Sequence, residues 1–192
     1  MTARELMSKA EEIAAVKNCS LKDVVIELAQ EDNEIEMTAQ EIPIKDKDLK
    51  TIGIAGSEKL IKLKDGSEIT IFEDTMVISV PAENLTDAQK EKLLTKLQAQ
   101  NKGWQFLKWE NDSHVLVQHT IIEVSTPAEN LTEQERELFS KEFRSIAGLT
   151  SGNWKPWTWE TNPQLHGKTV EAMAENFYLQ HEESIIADYL QF

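Results

Sequence analysis

The sequence predicts an α+β fold with an N-terminal helical hairpin, an antiparallel or mixed sheet that contains two split βαβ-like βα units, and a long C-terminal helix. Three observations predict it. Apolar residues recur at helical spacing over residues 1–36 and 168–190, and they alternate with polar residues in strand-like stretches between these segments. The hexapeptide PAENLT also occurs twice, at 81–86 and 127–132, each time between a strand-like and a helix-like stretch.

The first 36 residues predict two helices joined by a tight turn. Thr2 and Glu5 have the spacing of a capping box, in which each side chain bonds the backbone N–H of the other residue. Asn18-Cys19-Ser20 interrupts the apolar pattern between the helices. The second helix lacks the basic surface that a DNA-reading helix requires, so we favour a packing role for the hairpin.

The segment from Glu31 to Glu41 is acidic, with five carboxylates and no base. This composition predicts a solvated linker. We therefore predict a helical hairpin and acidic linker in residues 1–40, followed by an α+β domain in residues 41–192.

Two β-hairpins are predicted in the middle of the chain. Asp65-Gly66 lies between LIKLK and ITIF, and both turn residues tolerate a positive φ. GWQFLKWE (103–110) and HVLVQHTIIEV (114–124) predict a second hairpin. We expect a closing strand of the sheet to come from residues 154–159 or from the first hairpin.

The repeated hexapeptide predicts a strand-to-helix joint that the chain uses twice. In each copy a proline ends the strand, a threonine takes the N-cap position, and a Gln or Glu three residues later completes a capping box: Pro81, Thr86 and Gln89, then Pro127, Thr132 and Glu135. The two βα units of this tandem duplication cover residues 76–100 and 121–148. We interpret the repeated hexapeptide as a sequence that sets backbone geometry and not as a chemical site.

The end of the chain predicts an irregular segment at 148–167 and a helix at 168–190. An apolar stripe at helical spacing marks one face of this helix: Val170, Met173, Ala174, Phe177, His181, Ile185 and Tyr189. Because His181 belongs to this stripe, we interpret it as a core histidine whose ring finds a hydrogen-bond partner.

Charge and cysteine usage narrow the function classes. Twenty basic and 34 acidic residues give a formal net charge of −14, which disfavours direct binding to nucleic acid or to a membrane surface and suits a basic protein partner. The single cysteine, Cys19, cannot form an internal disulfide, and the first residues lack the apolar core of a secretion signal. We therefore expect a cytoplasmic protein.

No catalytic residue, cofactor or metal site is predicted. The sequence lacks the glycine-rich phosphate loop, the nucleophile elbow and the clustered Cys/His spacing of common sites. His114 and His119 lie an odd number of residues apart, so on one strand they face opposite sides and cannot share a metal ion.

Two groups of residues are predicted binding candidates. Trp154, Trp157 and Trp159 form either an exposed stacking platform or the cover of the core, and we favour burial with one ring partly exposed. Carboxylates close to one face of the last helix form the second group: Glu171, Glu175 and Glu182. Such rows occur on proteins that cap basic partners or mimic DNA, although ordinary solvated helices carry them more often.

These observations favour a non-enzymatic acidic protein-binding module of the inhibitor, immunity or assembly type. One alternative is an enzyme whose site is assembled from Glu110, His114, His119 and Trp157, which then have to converge in one pocket. Another is a structural subunit of a larger assembly, with a large apolar surface patch. The sequence leaves the oligomeric state open.

Overall fold

The predicted α+β architecture is confirmed. The structure, a computed structural model, describes residues 1–31, 36–42, 51–148 and 162–190. The elements of this described part are α1 (Ala3–Lys17), α2 (Leu21–Glu31), β1 (Glu36–Ile42), β2 (Thr51–Lys62), β3 (Glu68–Ser79), α3 (Asp87–Gln100), β4 (Trp104–Asn111), β5 (His114–Pro127), a 3-10 turn (Ala128–Asn130), α4 (Glu133–Ile146), β6 (Gln164–His166) and α5 (Val170–Leu190).

The strand order in the sheet is β1-β2-β3-β5-β4, and β6 pairs with the last three residues of β5. β5 is antiparallel to both β4 and β6. Because α3 connects β3 to β4 while β5 lies between these strands, the three strands and α3 form a split βαβ arrangement. Of the two predicted sources of a closing strand, the first hairpin supplies β2, whereas residues 154–159 lie outside the described residues. A short strand, β6, also lies in the segment 148–167 that was predicted to be irregular, because its backbone pairs with β5.

The chain divides into two compact units. One unit contains residues 1–36, 61–69 and 123–192, and the other contains residues 37–60 and 70–122. The N-terminal hairpin therefore belongs to the same unit as α4 and α5. The predicted division into 1–40 and 41–192 stays a prediction, because packing alone does not show which segment folds independently.

The predicted helical hairpin is present as α1 and α2. Thr2 and Glu5 form the expected capping box, and the hydrogen bond from the Thr2 backbone lowers the pKa of Glu5. Asn18 ends α1 in the left-handed conformation, with φ of 51°. α1 has four buried residues: Ala3, Leu6, Met7 and Ala10.

The segment predicted as an acidic linker contains a strand. α2 runs to Glu31, and β1 begins at Glu36, while residues 32–35 lie outside the described residues. β1 is hydrogen-bonded to β2 in the sheet. Met37 and Ala39 alternate with polar residues, which is a strand signal that a count of acidic residues conceals.

The first predicted hairpin is formed by β2 and β3, and its turn uses three residues. Leu63 N–H donates to the Ser67 carbonyl at 2.9 Å, and Gly66 N–H donates to the Leu63 carbonyl at 3.0 Å. Gly66 has φ of 79°, whereas Asp65 is not in the left-handed region. This pattern is a type I turn closed by a left-handed glycine, so only one of the two turn residues needs a positive φ.

The first PAENLT joint has the predicted capping box. Thr86 Oγ1 accepts from Gln89 N–H at 3.4 Å, and Gln89 Oε1 accepts from Thr86 N–H at 2.9 Å. Ala82 is fully buried, and its carbonyl accepts from Leu85 N–H at 3.1 Å. α3, which starts at this joint, has no fully buried residue.

The second joint repeats this capping box with Thr132 and Glu135. Ala128 is again buried, and its carbonyl accepts from Leu131 N–H at 3.3 Å. Glu135 also accepts a hydrogen bond from Arg4 Nη1 at 2.7 Å. Burial alone raises the pKa of Glu135, but the hydrogen bonds from Arg4 and Thr132 outweigh it and hold the pKa below its ordinary value.

The core between α4 and α5 is aromatic. Phe139 and Phe143 each contact Phe177 edge to face, with centroid distances of 5.9 and 5.8 Å. His181 stacks on Phe177 at 4.1 Å, and its Nδ1 lies 2.9 Å from the Phe177 carbonyl oxygen, so the ring has the predicted hydrogen-bond partner but is only partly buried. The predicted stripe on α5 is buried at Val170, Met173, Ala174 and Phe177, whereas the side chains of Ile185 and Tyr189 lie outside the described residues.

Candidate functional site

A cleft of about 500 Å³ lies between α3 and the β4–β5 hairpin. Its size is within the range of about 300–1,000 Å³ that ligand pockets have. Every lining residue belongs to one compact unit. The lining combines an apolar wall with a charged rim: Asp87, Lys90, Glu91, Leu94, Phe106, Leu107, Lys108, Trp109, Asn111, Asp112 and Val115.

A bulge in β4 brings its aromatic residues to the face that packs on α3. Phe106 pairs with Val117 and Lys108 pairs with Leu116, so Leu107 is an extra residue in the strand. In an unbroken strand Phe106 and Trp109 face opposite sides, because they are three residues apart. The extra residue restores Trp109 to the face of Phe106, and both rings pack on the same buried cluster.

The opposite wall of the cleft is α3, whose apolar side is only partly covered. Leu93, Leu94 and Leu97 pack against the cluster of Val115 and Val117, yet all three leucines stay half-exposed. A helix held by half-exposed leucines leaves a groove along its side.

Lys90 lies across the cleft. Its Nζ is 5.2 Å from the centre of the Trp109 ring and 2.9 Å from Asp112 Oδ1. The Lys90 side chain is only 14% exposed, whereas that of Asp112 is 81% exposed. The lysine therefore makes a cation–π contact inside the cleft and an ion pair at its mouth.

The charge of the cleft is acidic once its ion pairs are taken into account. Lys90 pairs with Asp112, and Lys108 pairs with Glu110 at 3.1 Å. Within the part of the chain that the structure describes, the carboxylates of Asp87 and Glu91 have no cationic partner. The cleft therefore offers an aromatic wall and two carboxylates to a cationic or amphipathic ligand.

The residues of the predicted enzyme alternative are not brought together here. Glu110, His114 and His119 all lie outside the lining of the cleft. His114 Nδ1 lies 2.9 Å from Asn111 Oδ1 at the hairpin tip, and His119 pairs with Trp104 at the other end of β4. The register of β5 is regular between the two histidines, so they face opposite sides as predicted.

The predicted acidic row on α5 is exposed. Glu171, Glu175 and Glu182 all point away from the aromatic core of their own unit. Tyr178 lies between them and its hydroxyl donates to Glu182 Oε1 at 3.3 Å. Desolvation raises the pKa of Tyr178, and the charge of Glu182 adds to this effect.

The other predicted binding group, Trp154, Trp157 and Trp159, lies outside the described residues, and Trp157 also belonged to the enzyme alternative. Their exposure stays a prediction. Among the residues that are described, no three His, Cys, Asp or Glu side chains lie close enough to hold a metal ion. None of the described helices combines the length and the apolar composition that crossing a membrane requires.

Sequence reasoning did not find the Lys90–Trp109 cleft. Trp104, Phe106 and Trp109 were visible in a predicted strand, but their spacing places Trp109 on the opposite face unless a bulge is assumed. Lys90 lies four residues after its N-cap threonine, as Arg136 does in the second joint. This equivalence is the sequence signal that draws attention to Lys90.

Comparison with protein-family models, curated proteins and solved structures finds no match for this chain.

Proposed function

We propose that this chain is a non-enzymatic, cytoplasmic protein-binding module that engages a basic protein, in the manner of an inhibitor, an immunity protein or an assembly protein. The observation that carries the proposal is the cleft between α3 and the β4–β5 hairpin. Trp109 and Phe106 give it the aromatic surface that is enriched at protein interfaces. Asp87 and Glu91 give it unpaired negative charge toward a partner of opposite sign.

The net charge of −14 supports the same proposal. A strongly acidic protein attracts a basic partner over distances up to the Debye length, about 8–10 Å at physiological salt, and this attraction raises the association rate. The exposed row of Glu171, Glu175 and Glu182 supplies a second acidic surface that such a partner can contact.

The test is capture from a nuclease-treated lysate of the source cell on the immobilised full chain. The captured protein is then produced alone, and its affinity is measured by calorimetry at about 50 mM and about 500 mM salt, where screening differs strongly. We expect one basic protein that binds with defined stoichiometry and at least about tenfold more weakly at high salt. A captured protein whose affinity is independent of salt overturns the proposal, as does capture of this chain alone.

The acidic row on α5 is tested in the same assay. Glu171→Lys combined with Glu175→Lys reverses two exposed charges. We expect the affinity for the basic partner to fall and its salt dependence to become weaker. Unchanged affinity removes this row from the interface.

A further inference from the structure

We propose that the cleft receives an arginine side chain from the basic partner, and that Lys90 occupies the arginine's place until the partner binds. The inference rests on the proposed function and deepens it by naming the recognised group. It also gives Lys90 a regulatory role, because the arginine must displace it.

Lys90 already makes the contacts that a bound cation makes. Its ammonium group lies over the Trp109 ring at 5.2 Å and pairs with Asp112 at 2.9 Å. An aromatic face together with a carboxylate is the usual recognition set for a cationic side chain. The cleft is therefore a cation site that the chain fills with its own lysine.

The ion pair of Lys90 adds little to the binding of this lysine, which is itself only 14% exposed. Asp112 is 81% exposed, and exposed ion pairs stabilise little because solvent screens them. Asp87 lies three residues before Lys90 on α3, which is within the reach of a helical side-chain pair. The displaced ammonium group therefore finds a carboxylate on its own helix.

Arginine fits the vacated place better than lysine does. A guanidinium group is planar, stacks on an aromatic ring and donates two parallel hydrogen bonds to a carboxylate. It is also more weakly hydrated than an ammonium group, so the cost of leaving water is smaller. The open volume of about 500 Å³ beside Lys90 leaves room for the segment that carries the arginine.

The experiment uses the full chain and a short blocked peptide, Gly-Arg-Gly-Arg-Gly. A matched peptide carries citrulline, which keeps the shape of arginine without its charge. Binding is followed by NMR through the indole N–H signal of Trp109, which is assigned with the Trp109→Phe variant. We expect a saturable shift of this signal with the arginine peptide and none with the citrulline peptide.

The decisive variant is Lys90→Ala, because it removes the resident competitor. We expect the arginine peptide to bind roughly two- to fivefold more tightly, which is the size of one exposed cation–π contact or ion pair. Lys96→Ala is the matched control, since it removes the same charge from an exposed position of α3 that does not line the cleft. Equal gains in both variants overturn the inference, because they report net charge alone.

The outcomes separate this inference from the proposed function. A basic protein partner that binds wild type, Lys90→Ala and Asp112→Asn equally well overturns arginine recognition in the cleft, whereas the binding of a basic protein, which is the proposed function, still stands. An arginine peptide that shifts Trp109 as expected, in a chain for which no basic protein partner is captured, overturns the proposed function and supports arginine recognition. If the chain self-associates and the arginine peptide inhibits this association, the cleft binds a second copy of this chain. That result overturns the inference of a foreign partner.

Discussion

The first PAENLT joint borders solvent and an open cleft, whereas the second is enclosed by the packing of its own unit. Their backbones agree closely: the N-cap residues Thr86 and Thr132 have φ of −68° and −63° and ψ of 161° and 162°. Both joints bury their alanine and both form a complete capping box. The shared hexapeptide sequence therefore specifies the backbone conformation of the turn from strand to helix.

The surroundings of the two joints differ at the proline, asparagine and leucine side chains, which are more buried in the second joint. Leu131 is buried at 3% exposure, whereas Leu85 is half-buried. Asn130 donates to the Asp65 carbonyl at 2.7 Å, whereas Asn84 is exposed. One hexapeptide can therefore fix a local conformation without fixing how much that conformation contributes to stability.

The basic residue four positions after each N-cap sharpens this contrast. Arg136 folds back and donates to the carbonyl oxygens of Leu131 and Glu129 at 3.1 and 3.0 Å. Lys90 turns away from its joint to Trp109 and Asp112. The basic residue at this position therefore stabilises the backbone of the second joint, whereas it occupies a cleft beside the first.

The largest expected difference between the joints comes from their leucines. Leu131→Ala removes a buried side chain, and we expect the free energy of unfolding to fall by about 2–5 kcal/mol. Leu85→Ala removes a half-buried side chain, and we expect no more than about half that loss. Urea unfolding followed by circular dichroism measures both, and equal losses contradict the comparison.

The pH dependence of the two capping boxes gives the next largest effect. Glu135→Ala removes an ionised carboxylate that bonds Thr132 and Arg4, and we expect a loss of about 1–2 kcal/mol at neutral pH. Because the folded-state pKa of Glu135 is below its ordinary value of 4.5, this stabilisation is complete above that pH and disappears as the pH falls through the lowered value.

Gln89→Ala is the matched variant in the first joint, where the capping side chain carries no charge. We expect a loss of about 0.5–1 kcal/mol that stays the same between neutral and acidic pH. Urea titrations at a series of pH values measure both differences from wild type. Two parallel pH profiles contradict the assignment of the pH-dependent contact to the second joint.

Replacing the N-cap threonines tests what the joints share. Thr86→Ala and Thr132→Ala each remove the acceptor for the N–H three residues later, and we expect each to cost about 1 kcal/mol. Serine at either position retains the acceptor and restores most of the loss. A difference between the two alanine variants of more than about 1 kcal/mol shows that the caps differ as well as their surroundings.

The asparagines complete the comparison, with one expected effect similar to that of the caps and one close to zero. Asn130→Ala leaves the Asp65 carbonyl without its donor, and we expect a loss of about 0.5–1.5 kcal/mol. Asn84→Ala changes an exposed side chain and stays within about 0.5 kcal/mol of wild type. If both variants lose a comparable free energy of unfolding, each asparagine stabilises its own turn, and the hydrogen bond to Asp65 is not the cause.

Local rules predicted the elements and missed the site for a physical reason. Capping boxes, the Asp65-Gly66 turn and the stripe on α5 depend on residues near in sequence, so the chain displays them directly. The face on which Trp109 lies depends on the cross-strand register of β4 with β5, which a single strand does not encode. The segment after α2 was missed for a different reason, because the count of its acidic residues concealed the alternation of Met37 and Ala39 with polar residues.

The two irregularities in β4 also have a consequence for how this protein behaves at high concentration. Among the described residues β4 ends the strand order, and a terminal strand with three aromatic residues is a template for pairing with another molecule. Leu107 and Glu110 each interrupt the regular ladder, so a second β4 cannot align with it over more than a few residues. The feature that turns Trp109 toward α3 therefore also makes this edge a poorer template for fibril growth.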